Sequence, residues 1–225
     1  MNKSNKTALI LGASGLVGTD LVNVLLQEEN YAKIHLLVRK PLTIKDKLCE
    51  QHVVNFDKLD KYEDLFQVTD IFCCLGTTIK KAKTKEAFRK VDYQYPIEAA
   101  KLAKKFGVQN YLIITAMGAS SKSLFFYSQV KGELEEALRK LELTSVHIFR
   151  PSLLVGERKE HRLGEKIAEK VSVLFNPIMV GPLRPYRSIQ AKRIAEAMAT
   201  IALSSKTGFH VYHSHEIERM VGRSR

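Results

Sequence analysis

Short apolar runs alternate with amphipathic stretches along most of the chain. Thr7 to Leu11, Ile34 to Val38, His52 to Phe56, Asp70 to Leu75, Tyr111 to Thr115 and Ser145 to Phe149 read as strands. Between the first two, Leu16, Val17, Leu21, Val24 and Leu25 recur at helical spacing and predict a helix over Leu16 to Gln27. A shorter helix is expected over Lys58 to Phe66. A long helical region over Lys85 to Phe106 is interrupted near Pro96, which kinks or starts a helix, and Gly107 suits a C-cap. A further helix spans Leu124 to Leu141, with Ser123 as a candidate N-cap. Uninterrupted apolar strands between amphipathic helices predict a parallel sheet covered on both faces, a doubly wound Rossmann-type α/β fold. After Arg150-Pro151 the pattern loosens around Gly156, Gly164, Asn176-Pro177, Gly181-Pro182 and Pro185. Helix returns over Ser188 to Leu203, and Phe209 to Tyr212 reads as a last strand. No repeat or long linker divides the chain. One domain over 1–225 is expected, with 151–187 as a loop region on the substrate side.

Composition changes little in this picture. A hydrophobic share of 45% over 225 residues is enough for a core. The formal net charge of +12 favours anionic partners, a phosphorylated cofactor among them. The cations are spread along the chain, as a solvated basic surface also requires, and no nucleic-acid-binding signature accompanies them. Cys49, Cys73 and Cys74 form neither a disulfide framework nor a CxxC pair, and the histidines are scattered, so no metal site is expected. His213 and His215 read as surface residues. The apolar run TALIL is too short for a signal peptide, and no stretch reaches the roughly 18 apolar residues of a membrane span. A reducing, cytoplasmic setting is the resulting expectation.

The first strand runs into Gly12-Ala-Ser-Gly15-Leu-Val-Gly18, and a helix follows at once. A pyrophosphate that approaches the backbone closely needs glycine there, and the free N–H groups of a helix start favour anions. Ser14 adds a hydroxyl. Strand 2 ends in Arg39-Lys40, where folds that prefer NAD place an acid for the ribose 2′-hydroxyl. Two cations suit a 2′-phosphate, so NADP(H) is expected ahead of NAD(H). Asp57, after strand 3, stands where an adenine edge is met, and Leu75-Gly76, after strand 4, where the cofactor passes over the backbone.

Tyr127 and Lys131 form the one Y-x-x-x-K of the chain. Four residues apart on a helix, they share a face. An ammonium beside a phenol lowers its pKa, and such a pair can move a proton to or from a carbonyl oxygen. Lys131 would also hold a ribose. The third polar group is open: Thr115 at the end of strand 5, or Ser120 and Ser121 in the loop after it.

The segments LILGASGLVG, LLVRK, CLGTT, VDYQYPIEAA, ITAMGAS, YSQVKGELE and FRPSLLVGER resemble those of atypical short-chain dehydrogenases/reductases. The Tat-interacting-protein-like subgroup is the nearest match. The resemblance covers nearly the whole chain, and YSQVKGELE, FRPSLL and RPYRSIQ are its more specific parts. It implies that Ser14, Gly15, Leu16 and Val17 touch the pyrophosphate, that Arg39 and Lys40 hold the adenosine phosphate, and that Leu75 and Gly76 line the path between. It implies Tyr127 as acid/base with Lys131 as partner, and Pro151, Ser152 and Leu153 beside the nicotinamide. Asp92 stands where extended relatives often have Asn, and Thr115 replaces the usual strand-5 serine.

The leading expectation is an NADP(H)-dependent oxidoreductase for a small carbonyl or alcohol. The segment from Gly156 to Tyr186 would form a lid, with Glu157, Arg158, His161, Arg184 and Arg187 presenting charge. A cofactor-binding regulatory or scaffold protein with a protein partner is the alternative from another class. A nucleotide-sugar epimerase or dehydratase is a third reading, against which the roughly 75 residues after strand 6 look few. Leu102 and Leu134 would lie on a dimer face if their helices do not pack inward.

Overall fold

The computed structural model describes residues 6–156 and 188–222. Its strands are β1 (Lys6–Leu11), β2 (Tyr31–Val38), β3 (Cys49–Val53), β4 (Asp70–Cys73), β5 (Asn110–Ile114), β6 (Ser145–Arg150), β7 (Leu154–Val155), β8 (Ile189–Gln190) and β9 (Gly208–His213). Seven of them form an open, wholly parallel sheet in the order β3-β2-β1-β4-β5-β6-β9, and β7 pairs with β8 in a separate two-stranded ladder. This is the Rossmann-type α/β architecture expected from the sequence. The strand order reverses between β1 and β4, so a crevice opens beyond their carboxyl ends.

The helices are α1 (Leu16–Gln27), a 3-10 stretch over Phe56–Phe66, α2 (Ile79–Ala82), α3 (Lys85–Arg89), a π segment over Lys90–Gln94, α4 (Tyr95–Lys105), α5 (Phe126–Lys140), α6 (Ala191–Ala202) and α7 (Ser214–Gly222). Alternation along the strands divides the core. Ala8, Ile10, Leu36, Phe72, Leu112 and Phe149 face α1, α6 and α7, while Leu9, Leu11, Leu37, Ile71, Ile113 and Ile148 face the 3-10 stretch, α4 and α5. Leu134 is fully buried and Leu102 packs against the same cluster, so both serve the core.

Local chemistry explains where elements depart from the apolar pattern. β3 ends at Val53 rather than running to Phe56, because the Asn55 side chain accepts from the Asp57 N–H and starts the 3-10 stretch. Ser123 does not cap α5. Phe125 takes that position, and the Ser123 hydroxyl accepts from the Phe125 N–H. Gly107, at φ +65°, follows the end of α4 as expected. The interruption before Pro96 is a π segment: proline has no N–H to give Asp92, and the Tyr95 N–H reaches back five residues to the Lys90 carbonyl.

At the amino ends of the strands, buried Asp70 accepts from Lys6 Nζ at 3.0 Å, the Tyr31 hydroxyl at 2.8 Å and Asn110 Nδ2 at 2.7 Å. This ties β1, β2, β4 and β5 together. His147 on β6 is also buried, with Nδ1 3.1 Å from the Tyr212 hydroxyl. Burial, with His210 stacked at 5.4 Å and Lys206 nearby, holds its pKa down to about 4. The unfolded chain protonates this residue near pH 6.5, so its contribution to stability is present above that pH and is lost as pH falls toward 4. The urea midpoint should therefore drop between pH 7 and pH 4.5, with a shallower drop in His147→Gln.

Candidate functional site

The glycine loop joins β1 to α1 at the crevice. Gly12 adopts φ +86°, and a Cβ there would stand 2.6 Å from the Cys74 carbonyl oxygen, so only glycine lets the ends of β1 and β4 meet. A Cβ on Gly18 would stand 2.1 Å from the Gly12 oxygen, a backbone clash that sidestepping cannot relieve. Gly18→Ala is expected to lower stability by about 1–3 kcal/mol, read from urea unfolding. Gly15 is the N-cap of α1 and has no side chain with which to cap it. The first N–H groups of α1 therefore open onto the crevice beside exposed Ser14 and partly exposed Leu16, while Val17 is buried.

At the far end of β2, Arg39 and Lys40 are exposed. Asp57 lies nearby and accepts from Lys90 Nζ at 2.8 Å and from the Tyr95 hydroxyl at 2.9 Å, which together hold its carboxyl below the usual range. Tyr95 is pushed up to about 12 by burial and by Asp57, with Arg39 opposing. Lys90 and Tyr95 are members of this end that the sequence reading missed. Their helices pack there only through the fold.

Tyr127 stands in the first turn of α5, 38% exposed, its ring 5.6 Å from that of buried Phe88. One turn on, Lys131 is buried and its ammonium lies 2.8 Å from Asp92 Oδ1. Asp92 Oδ2 accepts from the Thr77 N–H at 2.8 Å, next to exposed Gly76 and half-buried Leu75. Helix α5, the π segment and the loop after β4 thus meet on one buried carboxylate. Burial alone would pull the Lys131 ammonium down, but Asp92, helped by Tyr127, outweighs it and raises it. The phenol departs from expectation. Burial raises the Tyr127 pKa, Lys131 lowers it and Asp92 raises it again, for a net rise above 10. Burial, with a smaller part from the carboxylate, outweighs the ammonium that was expected to make the phenol more acidic.

Thr115 needs a correction. It is buried, and its hydroxyl donates to Glu135 Oε1 at 2.6 Å; Glu135 is in turn gripped by Arg150, with Nε 3.0 Å from the same oxygen. That donor is spent inside a β5–α5–β6 clamp rather than facing a substrate. Ser121 donates to Glu136, and Ser120 is exposed in a loop whose N–H bonds the Ser128 carbonyl. This loop crosses α5 at Gly132, where a Cβ would lie 2.1 Å from the Ser120 carbonyl carbon.

Pro151 is buried and its carbonyl accepts from the Met117 N–H at 2.9 Å, while the Ser152 N–H donates to the Ser214 hydroxyl at 2.7 Å. Leu153 is exposed. A Cβ on Gly156 would touch Leu16 at 3.0 Å, so the chain after β6 returns to the start of α1. Glu157, Arg158, His161, Arg184 and Arg187 lie outside the described residues. Among the described residues, no helix is long and apolar enough to cross a membrane.

The HIM1 family model matches residues 38–180. Protein HTATIP2 of Rattus norvegicus is 40% identical over 170 residues, 74% of this chain and 70% of that protein. The mitochondrial protein FMP52 of Candida albicans is 33% identical over 171 residues, 73% of this chain and 75% of that one. Among solved structures, MoeE5 in complex with UDP-glucose and NAD superposes with a TM-score of 0.70 at 13% identity, covering 97% of this chain and 82% of that one. The ADP-L-glycero-D-manno-heptose-6-epimerase of Helicobacter pylori superposes with a TM-score of 0.71 at 15% identity, covering 97% and 81%. At such identities the structures speak for the fold. The fungal relatives overturn the cytoplasmic expectation, since they are named mitochondrial and point there rather than to plain cytoplasm. An apolar count along the chain carries no information on an organelle. By its sequence the chain belongs to the HIM1 family, alongside relatives such as HTATIP2.

Proposed function

We propose that this protein is an NADP(H)-dependent oxidoreductase acting on a small carbonyl or alcohol, built as one domain over 1–225 with Tyr127 as the proton carrier. The observation that supports this reading is the chain of interactions from the Tyr127 phenol, which feels the Lys131 charge, through the Lys131–Asp92 pair to the Thr77 N–H in the loop after β4. The crevice fits a dinucleotide: glycine stands at the N-cap of α1, and the Cβ missing at Gly76 would meet only Asp92, at 3.6 Å. Gly12, Ser14, Gly15, Leu16, Val17 and Gly18 would hold a pyrophosphate, Arg39 and Lys40 a 2′-phosphate, and Asp57 an adenine edge. Leu75, Gly76 and Lys131 would hold the sugars, with Pro151 and Leu153 at the nicotinamide. Bound there, a nicotinamide supplies or accepts hydride. Tyr127 gives the substrate oxygen its proton or takes it away.

The test is NADPH absorbance across a panel of aldehydes and ketones. Consumption supports the enzyme. Tight binding without consumption supports a second reading, a cofactor-binding regulatory or scaffold protein, which the neutralisation of Lys131 by Asp92 favours. For cofactor choice, Arg39→Ala/Lys40→Ala is expected to weaken NADPH about tenfold or more, as the loss of charged hydrogen bonds does, and to leave NADH nearly unchanged. Fluorescence titration of both cofactors reads this directly.

A further inference from the structure

The parallel register of β2 and β3 sets His35 opposite Glu50, and His52 follows two residues later on the same face of the sheet. The three side chains converge. His35 Nδ1 lies 2.9 Å from His52 Nε2, and the Glu50 oxygens lie 3.9 Å from the first and 3.8 Å from the second. One oxygen, one Nδ1 and one Nε2 fall within 4.8 Å of one another. We propose that His35, Glu50 and His52 form a binding site for a divalent transition metal ion of the zinc type at the β2–β3 edge of the sheet.

The geometry is close to what such an ion requires. Zinc takes imidazole nitrogens at about 2.0–2.1 Å, which sets two of them roughly 3.3 Å apart on a tetrahedron. The rings need to part by a few tenths of an ångström, and the carboxylate must close by a similar step. At present one imidazole N–H bridges to the other ring. An ion takes the place of that bridge once the donating ring carries its proton on its other nitrogen, so that both imidazoles ligate in the neutral form. Two nitrogens and a carboxylate oxygen match zinc, copper and nickel better than magnesium or calcium. The histidine side chains are 15% and 19% exposed and Glu50 46%, which holds the ligands while leaving a fourth position to water. Lys33, two residues before His35, pairs with Glu50 and is the competing cation. That pair is exposed and yields readily. Among the described residues β3 is the edge of the sheet, paired with β2, so an ion here would staple an edge strand to its neighbour. None of this depends on the dinucleotide reading.

Calorimetric titration of the tag-free, chelator-treated full chain with zinc chloride tests the site. About one ion per chain should bind, and thermal unfolding should move upward with zinc. His35→Gln and His52→Gln should each weaken binding at least about tenfold. Lys33→Ala should tighten it, because it releases Glu50. If a histidine variant fails to fold, Glu50→Gln, on an exposed side chain, gives the same reading. Absence of binding by the parent chain overturns the proposal. So does zinc binding that persists undiminished in the double histidine variant, which would place the ion on other histidines.

Discussion

Tyr127→Phe should lower turnover by about 10²–10⁴-fold, the usual worth of a positioned proton donor, while NADPH affinity changes little. The substitution removes one oxygen at a partly exposed position and keeps the ring against Phe88, and Lys131 keeps its carboxylate. Steady-state rates with the best carbonyl of the panel, beside a fluorescence titration of NADPH, separate the two effects. Unchanged turnover removes Tyr127 from the chemistry. The direction of the pKa shift adds a second expectation. Burial, with Asp92, raises the phenol's pKa from its ordinary value despite Lys131, so it stays protonated through neutral pH. Carbonyl reduction should then be flat through neutral pH, and alcohol oxidation, which needs the phenolate, should climb with pH.

Asp92→Asn should cost about 3–5 kcal/mol of stability, because it leaves a buried ammonium without its counter-charge. Asparagine keeps an acceptor for the Thr77 N–H, so the loss reports charge rather than a missing hydrogen bond. Lys131→Met on top of Asp92→Asn should restore much of the loss, since removing both charges removes the mismatch. Urea unfolding of the single and double variants measures this. With the carboxylate gone the phenol becomes more acidic, and the alkaline limb of carbonyl reduction in Asp92→Asn should move to lower pH. An unmoved limb would show that Asp92 acts on folding alone.

The alternation of apolar runs made the sheet legible. α1 falls on Leu16–Gln27 as its periodicity requires, and the strands read from the sequence lie within a few residues of those in the fold. Short-range chemistry set the ends that were misplaced, as at Asn55 and Ser123. α7 escaped because SHEIERMVG is short and its buried Ile217 and Val221 give a single apolar pair. The site divided in the same way. Glycine spacing and Y-x-x-x-K are local and could be read. The Asp92–Lys131 pair, the Thr115–Glu135–Arg150 clamp and the meeting of Asp57 with Lys90 and Tyr95 join residues far apart in the chain, and only packing brings them together.

The π segment over Lys90–Gln94 amounts to one residue more than an ordinary helix would hold in that stretch. Each residue turns a helix by about 100°. A homologue shortened by one position between Arg89 and Pro96 would regain regular winding, yet would swing its acid about a quarter-turn away from the lysine. The surplus residue is thus an aiming device. Insertions and deletions at this point should track whether a given relative keeps its ammonium neutralised or sets it free.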